Sequence, residues 1–330
     1  MRRPFYGFGQ IALAAACCFA GSSALAEIRV CDGGGAAGSG AGKITSVPYT
    51  ISAPGVYCVT QKITSALTSG AAITITANNV LLDLNDFAIG NIGAGPSTTA
   101  IGIEAIDRQN IHIRNGTLRG FWVAIGLLNG TAIGLATANS SGHTVEGILA
   151  DTSYFAGIAA TGPFVSIKNN KVINTQGSNV ANPTFPANSA INAAFGILAG
   201  PGIGIHVTGN EVYDTDCTNG CTASTASVAG IVIQPTTHGT VVENNIIVNQ
   251  ALSAIAGSQA IHFGGQNGTA ASFDGFVYYN TINQWAQGVT FCNNPGFVCT
   301  GVMFNNTSAS VTSPYNGGTS PSVPVAGTNF

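Results

Sequence analysis

The sequence predicts an all-β protein, a single-stranded right-handed parallel β-helix solenoid of about eight coils. Three observations predict it. One strand-turn-strand phrase recurs along most of the chain. Charged residues make up only 7% of the 330 residues, against about a quarter in ordinary soluble domains. Glycine is abundant, 44 residues, as a chain of many tight turns requires. The 45% hydrophobic content comes as short alternating runs, the signature of half-buried strands.

Residues 1–26 are addressing rather than fold. Arg2 and Arg3 carry positive charge, Ile11 to Ala20 form a short apolar run, and Ala24-Leu25-Ala26 is an A-x-A cleavage site before Glu27. That order reads as a secretory signal peptide, too short to span a bilayer. The expected location is therefore secreted, periplasmic or cell-surface, with no integral membrane segment. Removing Arg2 and Arg3 from ten basic residues leaves eight against 13 acidic ones, a net charge of −5. Such a balance excludes phosphate-driven binding of nucleic acid.

Residues 27–46 are rich in Gly and Ala and read as an N-terminal lead-in. The solenoid itself is expected over 47–306, with Val47 to Ile63 as cap or first coil, because a stack of strands needs its end covered. One phrase then recurs: Val80-Leu81-Leu82-Asp83-Leu84-Asn85, Ile111-His112-Ile113-Arg114-Asn115-Gly116, and Val165-Ser166-Ile167-Lys168-Asn169-Asn170. Ile205 to Asn210, Val241 to Asn245, Val277 to Asn280 and Met303 to Asn306 continue it, and His143 to Leu149 is a poorer copy. A second phrase precedes each copy, as in Ala72-Ile73-Thr74-Ile75 and Phe195-Gly196-Ile197-Leu198. Such a coil buries its apolar side only by stacking on the next, at about 4.8 Å per coil. Asn115, Asn169, Asn244 and Asn305 are expected to form an inward amide ladder. Asp151, Asn174, Asp214, Asn249 and Gln284 read as a second structural polar column. Residues 307–330, rich in Ser, Thr, Pro and Gly, are expected to be mostly loose.

Cys17 and Cys18 leave with the signal. The remaining six form local groups, Cys31 with Cys58, Cys217 with Cys221, and Cys292 with Cys299. An even number in an exported chain reads as disulfides, with neighbour pairing the natural expectation. A metal site at Cys217-x3-Cys221 is the rival, with Asp214 and Asp216 the further ligands at hand.

The repeats from Ile73 to Gly90, the segment Asn110 to Gly120, and the Asn-containing copies to Asn306 resemble the pectate-lyase-like superfamily of right-handed parallel β-helix proteins. The resemblance covers roughly residues 47 to 306. It is specific for fold and unspecific for chemistry, because one scaffold carries many activities. It implies a polysaccharide or cell-surface glycan as partner, and a homotrimer as one assembly open to the chain.

Chemistry is sought in the repeat register. A lyase needs a base and usually carboxylates holding calcium, the one cofactor in view and only for a lyase; a hydrolase needs two facing carboxylates. The outward positions of the first strand column, Thr74, Gly102, Gly126, Ala159, Leu198, Val232, His262 and Thr290, are nearly bare, with Glu104 two residues further on. The second column is richer: Asp83, Arg114, Glu146 and Lys168 fall at one-coil spacing with alternating sign. These four read either as a ladder of exposed ion pairs or as a catalytic patch with Lys168 or Arg114 as base and Asp83 or Glu146 as acid or metal ligand. Asp214-Thr215-Asp216 with Thr237-His238-Gly239 faintly resembles the motifs of polygalacturonase-like hydrolases, but the paired aspartates and basic segment between and after them are missing. Phe121, Trp122, Tyr154, Tyr278, Tyr279 and Trp285 are candidate rings for stacking on sugars. Two function classes follow: an exported protein engaging a polysaccharide, as lyase or hydrolase or by binding, and a non-catalytic surface rod for adhesion.

Overall fold

The computed structural model describes residues 42–130, 139–180, 192–219, 221, 226–234, 237–250, 255, 257–264, 272–291 and 298–317, all within the unit Cys31–Phe330. Residues 1–26, where a signal peptide is expected, Cys31, Cys292 and the side chain of Cys299 lie outside the described residues. Within them, 26 strands join in one sheet, and the strands pair in parallel throughout. Ile92–Ala94 is a single 3-10 turn, and no helix among the described residues is long and apolar enough to cross a membrane.

The pairings sort the strands into three columns, and the chain visits each once per turn. This is a parallel β-helix. The first column stacks Ala71–Ile75, Ile101–Ile106, Val123–Leu128, Ala156–Ala160, Ala193–Ala199, Ser227–Ile233 and Gln259–Phe263. Its inward row is Ile73, Ile103, Ile125, Ile158, Ile197, Ile231 and Ile261, all fully buried. Leu82, Ile113, Val145, Ile167, Val207, Val242 and Val277 form the matching inward row of the second column. Leu118, Ala150, Val172, Val212, Ile247 and Ile282 line the third. Three apolar rows meeting on one axis make one continuous core. A turn takes 22 residues from Ile103 to Ile125 but 39 from Ile158 to Ile197. The strands keep register although the length of a turn varies.

Among the described residues the second column contains ten strands, from Gly42–Ile44 to Val298–Phe304. The second-column ladder therefore starts inside the segment read as lead-in, and Thr307–Gly317 carries the third and first columns past residue 306 by pairing with Thr281–Phe291. Alternation in 307–317 is masked by Ser, Thr and Pro, so composition gave no sign of a strand there.

The corner after the second column corrects the expected amide ladder. Asn115, Asn169, Asn244 and Asn305 do not point inward to bond one another; each takes a left-handed backbone, φ 52 to 54°. Asn tolerates that conformation at low cost, as does Gly, and Gly147 and Gly209 occupy the same corner with φ 62 and 64°. At Gly209 a Cβ would lie 2.5 Å from Asn169 Oδ1, so a side chain there would have to displace that amide. The next residue turns inward and carries the ladder instead. Asn170 Nδ2 donates to Asn210 Oδ1 at 3.0 Å, Asn210 to Asn245 at 3.0 Å, Asn245 to Asn280 at 2.9 Å and Asn280 to Asn306 at 2.9 Å. All five are buried.

The second polar column also shifts by one at its start. Asn174, Asp214, Asn249 and Gln284 share a register, but Asp151 pairs one residue earlier, opposite Ile173. Asp151 Oδ2 bonds Arg119 at 2.9 Å, and its Oδ1 still accepts the Asn174 side-chain N–H at 3.0 Å. Cys217 and Cys221 are joined in a disulfide, with Cα atoms 5.6 Å apart, so their sulfurs bind each other. Cys58 is buried and also disulfide-bonded.

Candidate functional site

The outward face of the second column is where the chemistry-bearing residues gather. Asp83 pairs in register with Arg114, Arg114 with Glu146, and Glu146 with Lys168. Glu146 keeps its place although its repeat is irregular, because Gly147 takes the left-handed corner that Asn holds elsewhere. The row continues through Thr208, Glu243, Tyr278 and Phe304. Eight side chains thus follow one another on successive coils along one face, although Asp83 at its start is buried, so the first ion pair is not the exposed pair expected.

The four charges at the start of this row are paired. Arg114 Nη2 and Nε each lie 2.9 Å from Asp83 Oδ2, and Asp83 Oδ1 accepts the Asn85 backbone N–H at 2.8 Å. Lys168 Nζ lies 2.9 Å from Glu146 Oε2, and His112 Nε2 lies 2.7 Å from Glu146 Oε1. Burial pushes the Glu146 carboxyl up, but its bonds to Lys168 and His112 outweigh that and hold it below the ordinary value. The Tyr278 hydroxyl hydrogen-bonds Glu243, which together with burial raises the phenol.

His112 and Glu243 are members of the network that single-column reading missed. His112 lies in the neighbouring outward row, two residues before Arg114, and reaches Glu146 diagonally across one coil. Glu243, Tyr278 and Phe304 occupy the phrase position of Asp83. Aligning every copy of the phrase finds them.

The first column's outer face differs. Glu104, not Gly102, stands in its outward row, paired with Thr74 and Gly126; a Cβ on inward Gly102 would lie 2.4 Å from the Ala124 carbonyl oxygen. Burial raises the Glu104 carboxyl. Further along, Ala159, Leu198 and Val232 are buried in a second apolar cluster with Trp122, Phe155 and Phe195, where the Trp122 and Phe155 rings stack at 4.4 Å. This face is closed, not an open groove.

The remaining candidates separate. Asp214 accepts both the backbone and side-chain N–H groups of Gln250 at 2.7 Å, and Asp216 accepts the Cys217 N–H. His238 Nδ1 bonds Asp274 Oδ2 at 2.8 Å on another column. The three do not form a shared site. His143 is fully buried between the Ile111 N–H and Ser140, and burial pushes its imidazole down to about 4. Among the candidate rings, Phe121, Trp122, Tyr154 and Trp285 are buried, whereas Tyr279 is 52% exposed; Phe164 and Phe276 are exposed rings not anticipated. Among the described residues, no three His, Cys, Asp or Glu side chains are grouped to hold a metal ion.

No protein-family model matches the sequence, and no curated protein does. Several solved structures are similar in shape, two of which follow. One is the Dettilon tailspike protein (gp208), with TM-score 0.44, 13% identity, and coverage of 81% of this chain and 54% of that one. The chain thus spans about half the length of that tailspike. The other is the A-module of the Azotobacter vinelandii mannuronan C-5 epimerase AlgE6, with TM-score 0.39, 13% identity, and coverage of 85% and 82%.

Proposed function

We propose that the protein is exported and binds a polysaccharide along the outward face of its second strand column. One observation carries the reading: eight outward side chains, from Asp83 to Phe304, stand in unbroken register at one residue per coil. A repeating polymer meets such a row with the same spacing again and again, and small contacts then add along its length. The closed apolar face of the first column supports the choice of the second.

Asp83, Arg114, Glu146 and Lys168 serve in this reading as an ion-pair ladder that stiffens the face. Every one of them already has a partner of opposite sign within 2.9 Å, and a general base must be open to its substrate.

The test is affinity electrophoresis of residues 27–330 through gels containing pectin, polygalacturonate, alginate, chondroitin or neutral glucans, with and without calcium. The same samples are assayed for unsaturated uronates and new reducing ends. Retardation by at least one polymer without product is the expected outcome. Product formation would make the charged row a catalytic patch. A folded sample retarded by nothing would sink the reading and leave a structural, adhesive role.

A further inference from the structure

The C-terminal end of this row differs in chemistry from its beginning. Tyr278 and Phe304 stack with centroids 4.8 Å apart and planes within 7°. Tyr279 stands across both, at 5.5 Å and 83° to Tyr278 and at 5.8 Å and 78° to Phe304. Phe276 and Val302, in the neighbouring outward row, are 47% and 43% exposed. Together they make an exposed aromatic patch two coils wide.

The backbone at this corner does not call for a tyrosine, although its ring does meet Tyr278 and Phe304 edge-on. At its corner the other coils place Asn115, Gly147, Asn169, Gly209, Asn244 and Asn305, all left-handed. Tyr279 adopts the same conformation, φ 55°, which is uncommon for a bulky side chain. Yet its ring is not buried to compensate. Strain held at an exposed aromatic residue points to a ligand contact.

Geometry and charge narrow the ligand. A ring perpendicular to two stacked rings has its plane along their stacking direction, which here follows the row from coil to coil. A pyranose in a polymer lying along the row has its own ring plane parallel to that direction. Its apolar C–H face can therefore lie on Tyr279, whereas Tyr278 and Phe304 cut across the path. The charged groups of the row are Asp83, Arg114, Glu146, Lys168 and Glu243, three carboxylates against two cations. Both cations are engaged by carboxylates, so the row offers a polyuronate no surplus of positive charge.

Resting on the polysaccharide reading above, we infer that Tyr279, with Phe276, Tyr278 and Phe304, forms a stacking subsite for a neutral hexose or pentose polymer. Glu243 lies beside it as an acceptor for sugar hydroxyls.

Affinity electrophoresis in neutral β-glucan, mannan and xylan, with alginate and polygalacturonate as acidic counterparts, tests it on residues 27–330 and three variants. Tyr279→Asn and Tyr279→Gly remove the ring while suiting the left-handed corner, so relief at the backbone offsets the lost ring contacts and the variants stay folded, which melting curves check. Tyr279→Phe keeps the ring. The expected result is binding of a neutral polymer by the wild type and Tyr279→Phe, and a loss of about tenfold in both ring-deleted variants. Unchanged binding by those variants overturns the subsite but leaves polysaccharide binding intact. Retardation of the wild type by acidic polymers alone does the same. Binding to no polymer overturns both.

Discussion

At the scale of single residues, neighbouring asparagines have unequal roles. Asn169 sets a backbone angle; Asn210, one coil on, holds the core. Asn210 Oδ1 accepts both the N–H and the Nδ2 of Asn170, and its Nδ2 donates to Asn245 and to the Ile167 carbonyl. Deleting it orphans several buried polar groups at once, each worth about 1–3 kcal/mol. Asn210→Ala is therefore expected to destabilise by roughly 3 kcal/mol, whereas Asn169→Gly, which suits φ 54°, is expected to stay within about 0.5 kcal/mol. Urea denaturation of the two variants decides this, and equal losses would contradict the assignment of roles. The sequence does not separate them by type, because Asn169-Asn170, Asn244-Asn245 and Asn305-Asn306 are identical pairs. Only the corner geometry shows that the first residue turns the chain and the second faces inward.

At the scale of elements, the charged ladder on the second column was legible from the phrase alone. Strand register is fixed by the inward apolar residues, Leu82, Ile113, Val145 and Ile167, and so the outward residue that follows each must align. Diagonal contacts were not legible, since His112 reaches Glu146 through side-chain length rather than register. Two consequences follow from the pairing of Glu146. Lys168 and Glu146 are partly exposed, so a double-mutant cycle with Glu146→Gln and Lys168→Gln is expected to give a coupling below about 1 kcal/mol. The carboxyl is held below its ordinary value of 4.5, so the folded state binds the proton more weakly than the unfolded chain does. Its stabilising contribution is thus complete above pH 4.5 and is lost as pH falls through the lower folded value. Stability of the wild type relative to Glu146→Gln, followed by urea midpoints between neutral and acidic pH, should decline in that direction. A difference that grows on acidification would refute the pairing as a stabilising one.

At the scale of the whole solenoid, each coil contacts only the coils before and after it, so the ends matter more than their composition suggests. The interior of the fold was readable because burial repeats: the inward isoleucines and valines recur whatever the loops do. The ends and the outer faces lack that constraint. Cover over the first column's apolar row depends on residues far apart in sequence, and Thr307–Gly317 has a polar composition that hides a strand. That strand pairs with Thr281–Phe291 along its length and sets Val311 against fully buried Trp285. Stopping the chain at residue 306 would leave the N–H and C=O groups of Thr281–Phe291 open, a template for another molecule's strand. It would also remove the coil that covers Trp285. Such a truncation is expected to melt about 5 °C lower than residues 27–330 and to associate in a concentration-dependent way, seen by light scattering. An unchanged melting point together with unchanged scattering would show that Thr307–Gly317 contributes no cover, and that the ladder's stability ends at Asn306.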